Sequence, residues 1–288
     1  MTTEATDRAV IIQALGSIAR EMGIKMIRSA YSTVIREIRD CSAALLDAEG
    51  NMVAQAEMEA LQLGSMSETF RACSALFPIA ELKDGEFYIN NHPYHGGQHL
   101  PDVYIFCPIF FDGRIVAFGA TVAHHIDIGS SKAGIDNVAS DMFAEGLKIP
   151  PTKYDLARDW NGGPFERLVR ENIRMPDQTI GDMEAQMAAN AIGATRINEL
   201  CRKFGADAVT AAMADLQTYS ERRVRAAIGR IADGRYSGEA FIDADEADGE
   251  PLRVAAEVTV AGDTLTVSFD GTSPQVRANI NSPWASTI

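Results

Sequence analysis

All five histidines of this 288-residue chain fall in two neighbouring segments: His92, His95 and His99 in NNHPYHGGQHLPD (90–102), His124 and His125 in AHHID (123–127). Even scatter would not concentrate them so. Imidazole beside carboxylate either holds a transition metal or moves protons near neutral pH. His92 and His95 sit among Asn90, Asn91, Pro93, Gly96 and Gly97, ordinary turn formers, and read as substrate-binding residues around the mouth of a site. His99 is different, because Pro101 stiffens the run His99-Leu100-Pro101-Asp102 and can hold an imidazole and a carboxylate close together.

Those groups need elements to position them. Val103 to Phe110 and Arg114 to Ala123 form an expected hairpin closed at Asp112-Gly113. Two antiparallel strands of similar length return the chain to its point of departure, so the 25-residue interval from His99 to His124 places both at one edge. Two imidazoles and one carboxylate then converge, a ligand set suited to Mn²⁺, Fe²⁺ or Zn²⁺ with coordination positions left open. His124 and His125 are adjacent, so only one faces the site in a regular strand. The other is a candidate for orienting ligands or substrate, and Asp127 for orienting either histidine.

Around the hairpin, Ile11, Leu15, Ile18 and Met22 mark a first helix ending near Gly23. Strands follow at 42–46 and 52–54, then a helix over 66–77 with Ser67 as N-cap. Residues 125–165, rich in Gly, Pro, Ser and Asp, read as a long ordered loop. Helical patterns occupy 182–204 and then a stretch up to Gly234, before strands at 240–242, 255–260 and 264–269. The fold class is therefore α+β, mixed helices and antiparallel hairpins, with the metal site at the open end of a hairpin. Two regions are expected: 1–235 carries the catalytic site, and 236–288 is β-rich and starts a further region. The last residues, NSPWASTI, complete no element and suggest a longer chain.

Composition excludes some classes. Lys and Arg total 26 against 40 Asp and Glu, and the net charge of −14 disfavours nucleic acid or an anionic membrane as partner. No run approaches the roughly 18 apolar residues of a membrane span, and the start lacks a signal peptide, so a cytoplasmic protein is expected. Cys41, Cys73, Cys107 and Cys201 have no CxxC spacing and read as small core residues.

Three segments together carry a resemblance: NHPYHGGQHLPD (91–102), AHHIDIG (123–129) and EGLKIPP (145–151). With Arg28–Ser32, Ala54–Ala56, Leu63–Met66, Gly181-Asp182, Ala185-Gln186 and Ala189-Asn190, the chain resembles the hydantoinase B/oxoprolinase family over nearly its whole length. The resemblance implies a metal site at His99, Asp102 and His124. It also implies an A-type partner subunit of actin-like ATPase fold, hence a hetero-oligomer, in which ATP activates a carbonyl oxygen by phosphorylation. The B-type subunit would then open a hydantoin-like or oxoproline-like cyclic amide, or, in the related α-type subunits, serve carboxylation of acetone or acetophenone. In either case the metal would polarise the carbonyl or activate water, with His125 or Asp127 moving protons. Two departures stand out: His92 replaces the acidic residue of Asn-Asp-Pro-Tyr, and Gln62 replaces a histidine frequent in the family. Two rivals are a non-haem iron oxygenase built on His125-Ile126-Asp127, and a non-catalytic scaffold subunit whose histidines only order a loop.

Overall fold

The computed structural model of the protein describes residues 3–56, 58–132, 139, 141–243, 250–278 and 280–287. Helix α1 (Thr3–Ser29) leads through a short π-helical turn at Val34–Ile38 to strands β1 (Cys41–Leu46) and β2 (Met52–Gln55). Helix α2 (Ala60–Leu76) precedes β3 (Glu86–Asn90), and the long hairpin β4 (Asp102–Phe111) and β5 (Arg114–His124) follows. Next come β6 (Thr152–Asp155) and the helices α3 (Leu156–Asp159), α4 (Pro164–Asn172), α5 (Pro176–Phe204) and α6 (Ala206–Ile228). Strands β7 (Gly234–Ile242), β8 (Leu252–Ala261) and β9 (Thr264–Ser268) end the regular structure.

The first six strands form one antiparallel sheet in the order β2-β1-β5-β4-β3-β6. Alternation along β4 and β5 feeds two cores. Tyr104, Phe106, Phe118, Ala120 and Val122 pack with Leu63, Met66 and Phe70 of α2 on one face. Val103 and Ile105 pack with Val169, Ile180 and Met183 of α4 and α5 on the other. A stripe of polar residues on α5 also meets that second face: Gln186 Nε2 donates to the Val103 carbonyl at 2.9 Å, and Asn190 Nδ2 to the Ile105 carbonyl at 3.2 Å. These bonds tie α5 to β4 through side-chain amides that would otherwise be buried without acceptors. Gly119 permits the approach, since a Cβ there would lie 3.0 Å from Asn190 Oδ1.

The chain divides into two compact units, Met1–Ala214 with Ser282–Ile288, and Asp215–Asn281. The second unit holds the end of α6 and the antiparallel three-stranded sheet β7-β8-β9. Among the described residues no helix is long and apolar enough to cross a membrane.

Several sequence expectations change. Helix α1 continues past Gly23, whose missing Cβ makes room for Ala56 and Met58: a Cβ there would sit 2.6 Å from the Met58 sulfur. Gly23 is thus a close-packing position instead of a stop. Helix α2 begins at Ala60 with Glu59 as its N-cap, accepting from the Leu61 amide at 3.3 Å, so Ser67 lies inside the helix. The supposed long loop contains β6 and α3, and α5 starts six residues before Asp182. The four cysteines are free thiols, three buried and Cys107 partly so. Burial pushes the thiols of Cys41, Cys73 and Cys107 up to about 12, which makes them poor nucleophiles.

Candidate metal centre

Hairpin register decides which histidine reaches the site. Asp102, the first residue of β4, stands directly opposite His124, the last of β5. Directly opposed residues project to the same face, here the face of Tyr104 and Val122. His99 is folded back over Asp102 by a turn in which the Asp102 amide donates to the His99 carbonyl at 3.0 Å. His99 Nε2 then lies 3.2 Å from Asp102 Oδ2 and 3.2 Å from His124 Nδ1, and His124 Nδ1 lies 3.4 Å from Asp102 Oδ1. These three residues form a group whose candidate ligand atoms all lie within 4.8 Å of one another.

The donor set fits a divalent cation. A metal with bonds of about 2.1 Å separates neighbouring ligands by roughly 3.0 to 3.4 Å, which is the spacing of these atoms. Asp102 Oδ1 is buried and lacks a hydrogen-bond partner, because the 3.4 Å approach of His124 is not aligned as a hydrogen bond. Two ring nitrogens facing each other can share at most one proton, whereas a cation between them satisfies both.

Asp40 brings a fourth residue to the group. Its Oδ2 is 3.7 Å from His124 Nδ1, and its Oδ1 accepts from Gln62 Nε2 at 2.7 Å. Local geometry presents it: Arg39 adopts a left-handed conformation (φ 63°) after the π-helical turn, and the His124 amide donates to the Asp40 carbonyl at 3.0 Å. A non-glycine residue held there is strained and needs surrounding structure to fix it. Sequence reasoning missed Asp40, since nothing links it to the histidines until β1 pairs with β5, Cys41 opposite Ala123. Gln62, the departure from the family pattern, is buried on α2 and holds Asp40 by its amide.

Electrostatics follow from burial and pairing. Burial alone would raise the Asp102 carboxyl, but polar contacts and charge from His124 and His99 hold it down at about 2. Burial lowers His99, yet contact with the Asp102 carboxylate outweighs it and leaves the imidazole above its ordinary value. Burial raises Asp40, against the pull of His124. Glu145, half-buried beside His99, is also raised by burial, while His99 and the Leu100 amide pull it down.

The remaining sequence candidates lie elsewhere. His125 turns to the opposite face, where its Nε2 is 3.0 Å from Gln186 Oε1 and its amide donates to the Pro101 carbonyl at 2.9 Å. Burial lowers its pKa and keeps it neutral. Asp127 is buried and fully engaged with backbone. Its Oδ1 accepts from the Gly129 amide at 2.9 Å; its Oδ2 accepts from the Met175 amide at 2.8 Å and from the Arg174 amide. Neither is therefore placed for the proton-moving role expected of it: His125, the first residue past the end of β5, faces Gln186 on α5, and the Asp127 carboxylate is committed to the start of α5. The oxygenase-type pairing of His125 with Asp127 loses its basis for the same reason. His92 and His95 pair with each other, ring centroids 4.8 Å apart, in a 3-10 turn where His92 Nδ1 accepts from the Tyr94 amide at 3.2 Å. Among the described residues neither ring has a hydrogen bond or ion pair to His99, Asp102 or His124.

Asp127 makes a direct test. Asp127→Ala strips three partly buried backbone amides of their buried acceptor and is expected to destabilise the protein by about 2 kcal/mol, measured by urea unfolding, with metal stoichiometry unchanged. Loss of metal with stability intact would restore Asp127 to the site.

Comparison with known proteins leads to the same family. The profile of the family described as Hydantoinase B/oxoprolinase matches residues 5–288. The B-type subunit of a candidate D-/L-hydantoinase from Pseudomonas sp. (strain NS671) is 37% identical over 293 residues, covering 97% of this chain and 49% of the relative. The crystal structure of the ATP-dependent caprolactamase from Pseudomonas jessenii superposes with a TM-score of 0.89 at 30% identity, covering 100% of this chain and 49% of that one. A nucleotide-free acetone carboxylase structure superposes with a TM-score of 0.88 at 17% identity, over 99% of this chain and 39% of that one, a likeness of fold alone. The chain thus spans about half the length of the relatives it matches.

Proposed function

The chain belongs to the hydantoinase B/oxoprolinase family, and from that premise we propose that it forms the metal-binding catalytic part of a B-type subunit in an ATP-dependent complex that opens a cyclic amide. The observation that carries the reading is the convergence of His99 Nε2, His124 Nδ1 and both Asp102 oxygens at one end of the hairpin. Hydantoins and caprolactam, named in the relatives, are both cyclic amides, whereas the ketone carboxylase is similar in fold only. The partner in this reading is an A-type ATPase subunit of actin-like fold, which would supply the phosphoryl group. This chain's part begins after carbonyl activation.

His99, Asp102 and His124 would hold Mn²⁺, Zn²⁺ or Fe²⁺, with Asp40 on the fourth side. Such an ion supplies Lewis acidity toward a carbonyl oxygen or lowers the pKa of a bound water to near neutrality. Asp102, ionised across the physiological range, keeps the set anionic, and His99 must shed its proton before it can serve as a ligand. Gln62 orients Asp40. Glu145, held near His99 with its carboxyl raised by burial, replaces His125 and Asp127 as the group that carries a proton to the departing amide nitrogen.

Assaying the chain with its ATPase partner for ATP-dependent lactam opening tests the reading, with bicarbonate-dependent loss of acetone as the opposing measurement. Lactam opening is expected; bicarbonate incorporation into a ketone would overturn it in favour of the carboxylase. In the same assay Glu145→Gln is expected to lower turnover about 10²-fold with metal content unchanged.

A further inference from the structure

Strands β7, β8 and β9 sort their side chains by chemistry. Tyr236 opposes Val258, which opposes Val267, and alternation puts Ile242, Val254 and Leu265 on the same face. The other face carries Arg253 paired with Glu239 at 2.8 Å and Arg235 near Glu257 at 3.5 Å, with Phe241 as its large apolar residue. Such segregation is the signature of a sheet with one buried side. Here the apolar side is open: Tyr236 is 45% exposed, Ile242 43%, Leu265 40% and Val267 42%. On this face burial is complete only at Val260, near the β8–β9 turn.

The size of this face narrows what covers it. Three strands about 4.8 Å apart and five to ten residues long present on the order of 400 Å². Two copies face to face would remove roughly 800 Å², short of the about 1,200 Å² at which stable interfaces between separate molecules begin. The net charge of −14 on each copy opposes that pairing further. Within one folded domain, by contrast, a layer of this area is an ordinary sheet-packing surface. The relatives contain as much polypeptide again as this chain spans.

We propose that the apolar face of β7–β9 docks polypeptide of the kind that makes up the unmatched half of the longer relatives, packed on it as a second layer. Tyr236, Val258, Leu265 and Val267 form the centre of the contact. The inference is independent of the metal-site reading and of the reaction.

The test co-expresses this chain with the portion of the Pseudomonas jessenii caprolactamase chain that it does not span, and measures maleimide labelling of Val267→Cys against Thr266→Cys on the opposite face. Labelling of the native thiols in the unsubstituted chain is subtracted. In the co-purified complex, labelling at 267 is expected to slow about tenfold while 266 is unchanged. Leu265→Cys repeats the reading should Val267→Cys fail to fold. Failure of the two polypeptides to associate, or a complex in which 267 and 265 stay as reactive as in the chain by itself, would overturn the proposal. So would protection of 267 in the isolated chain with a dimeric mass by light scattering, which would make a second copy the occupant.

Discussion

Asp102→Asn is expected to lower kcat/KM of the assembled complex by about 10³-fold, the several kcal/mol that Lewis-acid stabilisation contributes to such a reaction. The amide keeps the size and most of the packing of the carboxylate, so the loss isolates charge and ligation. In metal-free protein the same change has a second effect with a defined sign. The Asp102 carboxyl drops from an ordinary 3.8 to about 2 on folding, worth roughly 2 kcal/mol of stability. That stability is present above pH 3.8 and is lost as pH falls through about 2. His99 works in the other direction: its pKa is raised on folding, so its contribution is full below 6.5 and fades as pH rises through the folded value. The stabilisation from this Asp102–His99 pair in chelated protein is therefore fullest between about pH 4 and 6.5, and a metal bound there would be held better above that window as His99 loses its proton. Urea unfolding of wild type and Asp102→Asn with chelator present measures this. The difference between the two should shrink to a small fraction by about pH 2 and vanish below it, and a difference that persists unchanged there would refute the electrostatic account.

Phe70→Ala is expected to cost about 4 kcal/mol in urea unfolding, the range of large aromatic truncations in a core. Phe70 is fully buried and meets three rings edge-on: Tyr88 at 5.7 Å, Phe106 at 5.4 Å and Phe118 at 4.8 Å. It also packs onto Gly50, at a positive φ of 89°, where a Cβ would come within 2.2 Å of the ring. The side chain fixes α2 on the sheet, and α2 carries Gln62 and hence orients Asp40. The variant should therefore lose metal affinity as well as stability, although no atom of Phe70 is a ligand candidate. A loss below about 1 kcal/mol would mean that α2 is held by other contacts.

The part of the site that was legible in sequence is the part made by local pairing. Asp112 and Gly113 both adopt positive φ, as a tight hairpin turn requires, so the spacing of His99, Asp102 and His124 translates directly into proximity. Asp40 was not legible, because its neighbourhood arises from pairing between β1 and β5 and from a left-handed Arg39 that no residue preference announces. His125 and Asp127 misled for a simpler reason: proximity in sequence to a ligand says nothing about where side chains point once the strand has ended at His124. The stripe Asp182, Gln186 and Asn190 recurs every four residues and could have been read as a polar face of α5. Its meaning depends on the sheet it meets: Asp182 Oδ1 accepts from the Tyr31 and Ser32 amides at 2.7 and 3.1 Å, while the other two bind β4 carbonyls. Edge strand β6 was hidden because its four residues are all half-buried and show no alternation.

The central claim is that His99, Asp102 and His124 hold one divalent ion. Metal analysis of the protein purified without chelators, comparing wild type with His99→Ala, tests it most directly. About one equivalent of Mn, Zn or Fe in the wild type and less than about a tenth in a folded His99→Ala variant is the predicted result; absence of metal from both, or equal metal in both, would contradict it.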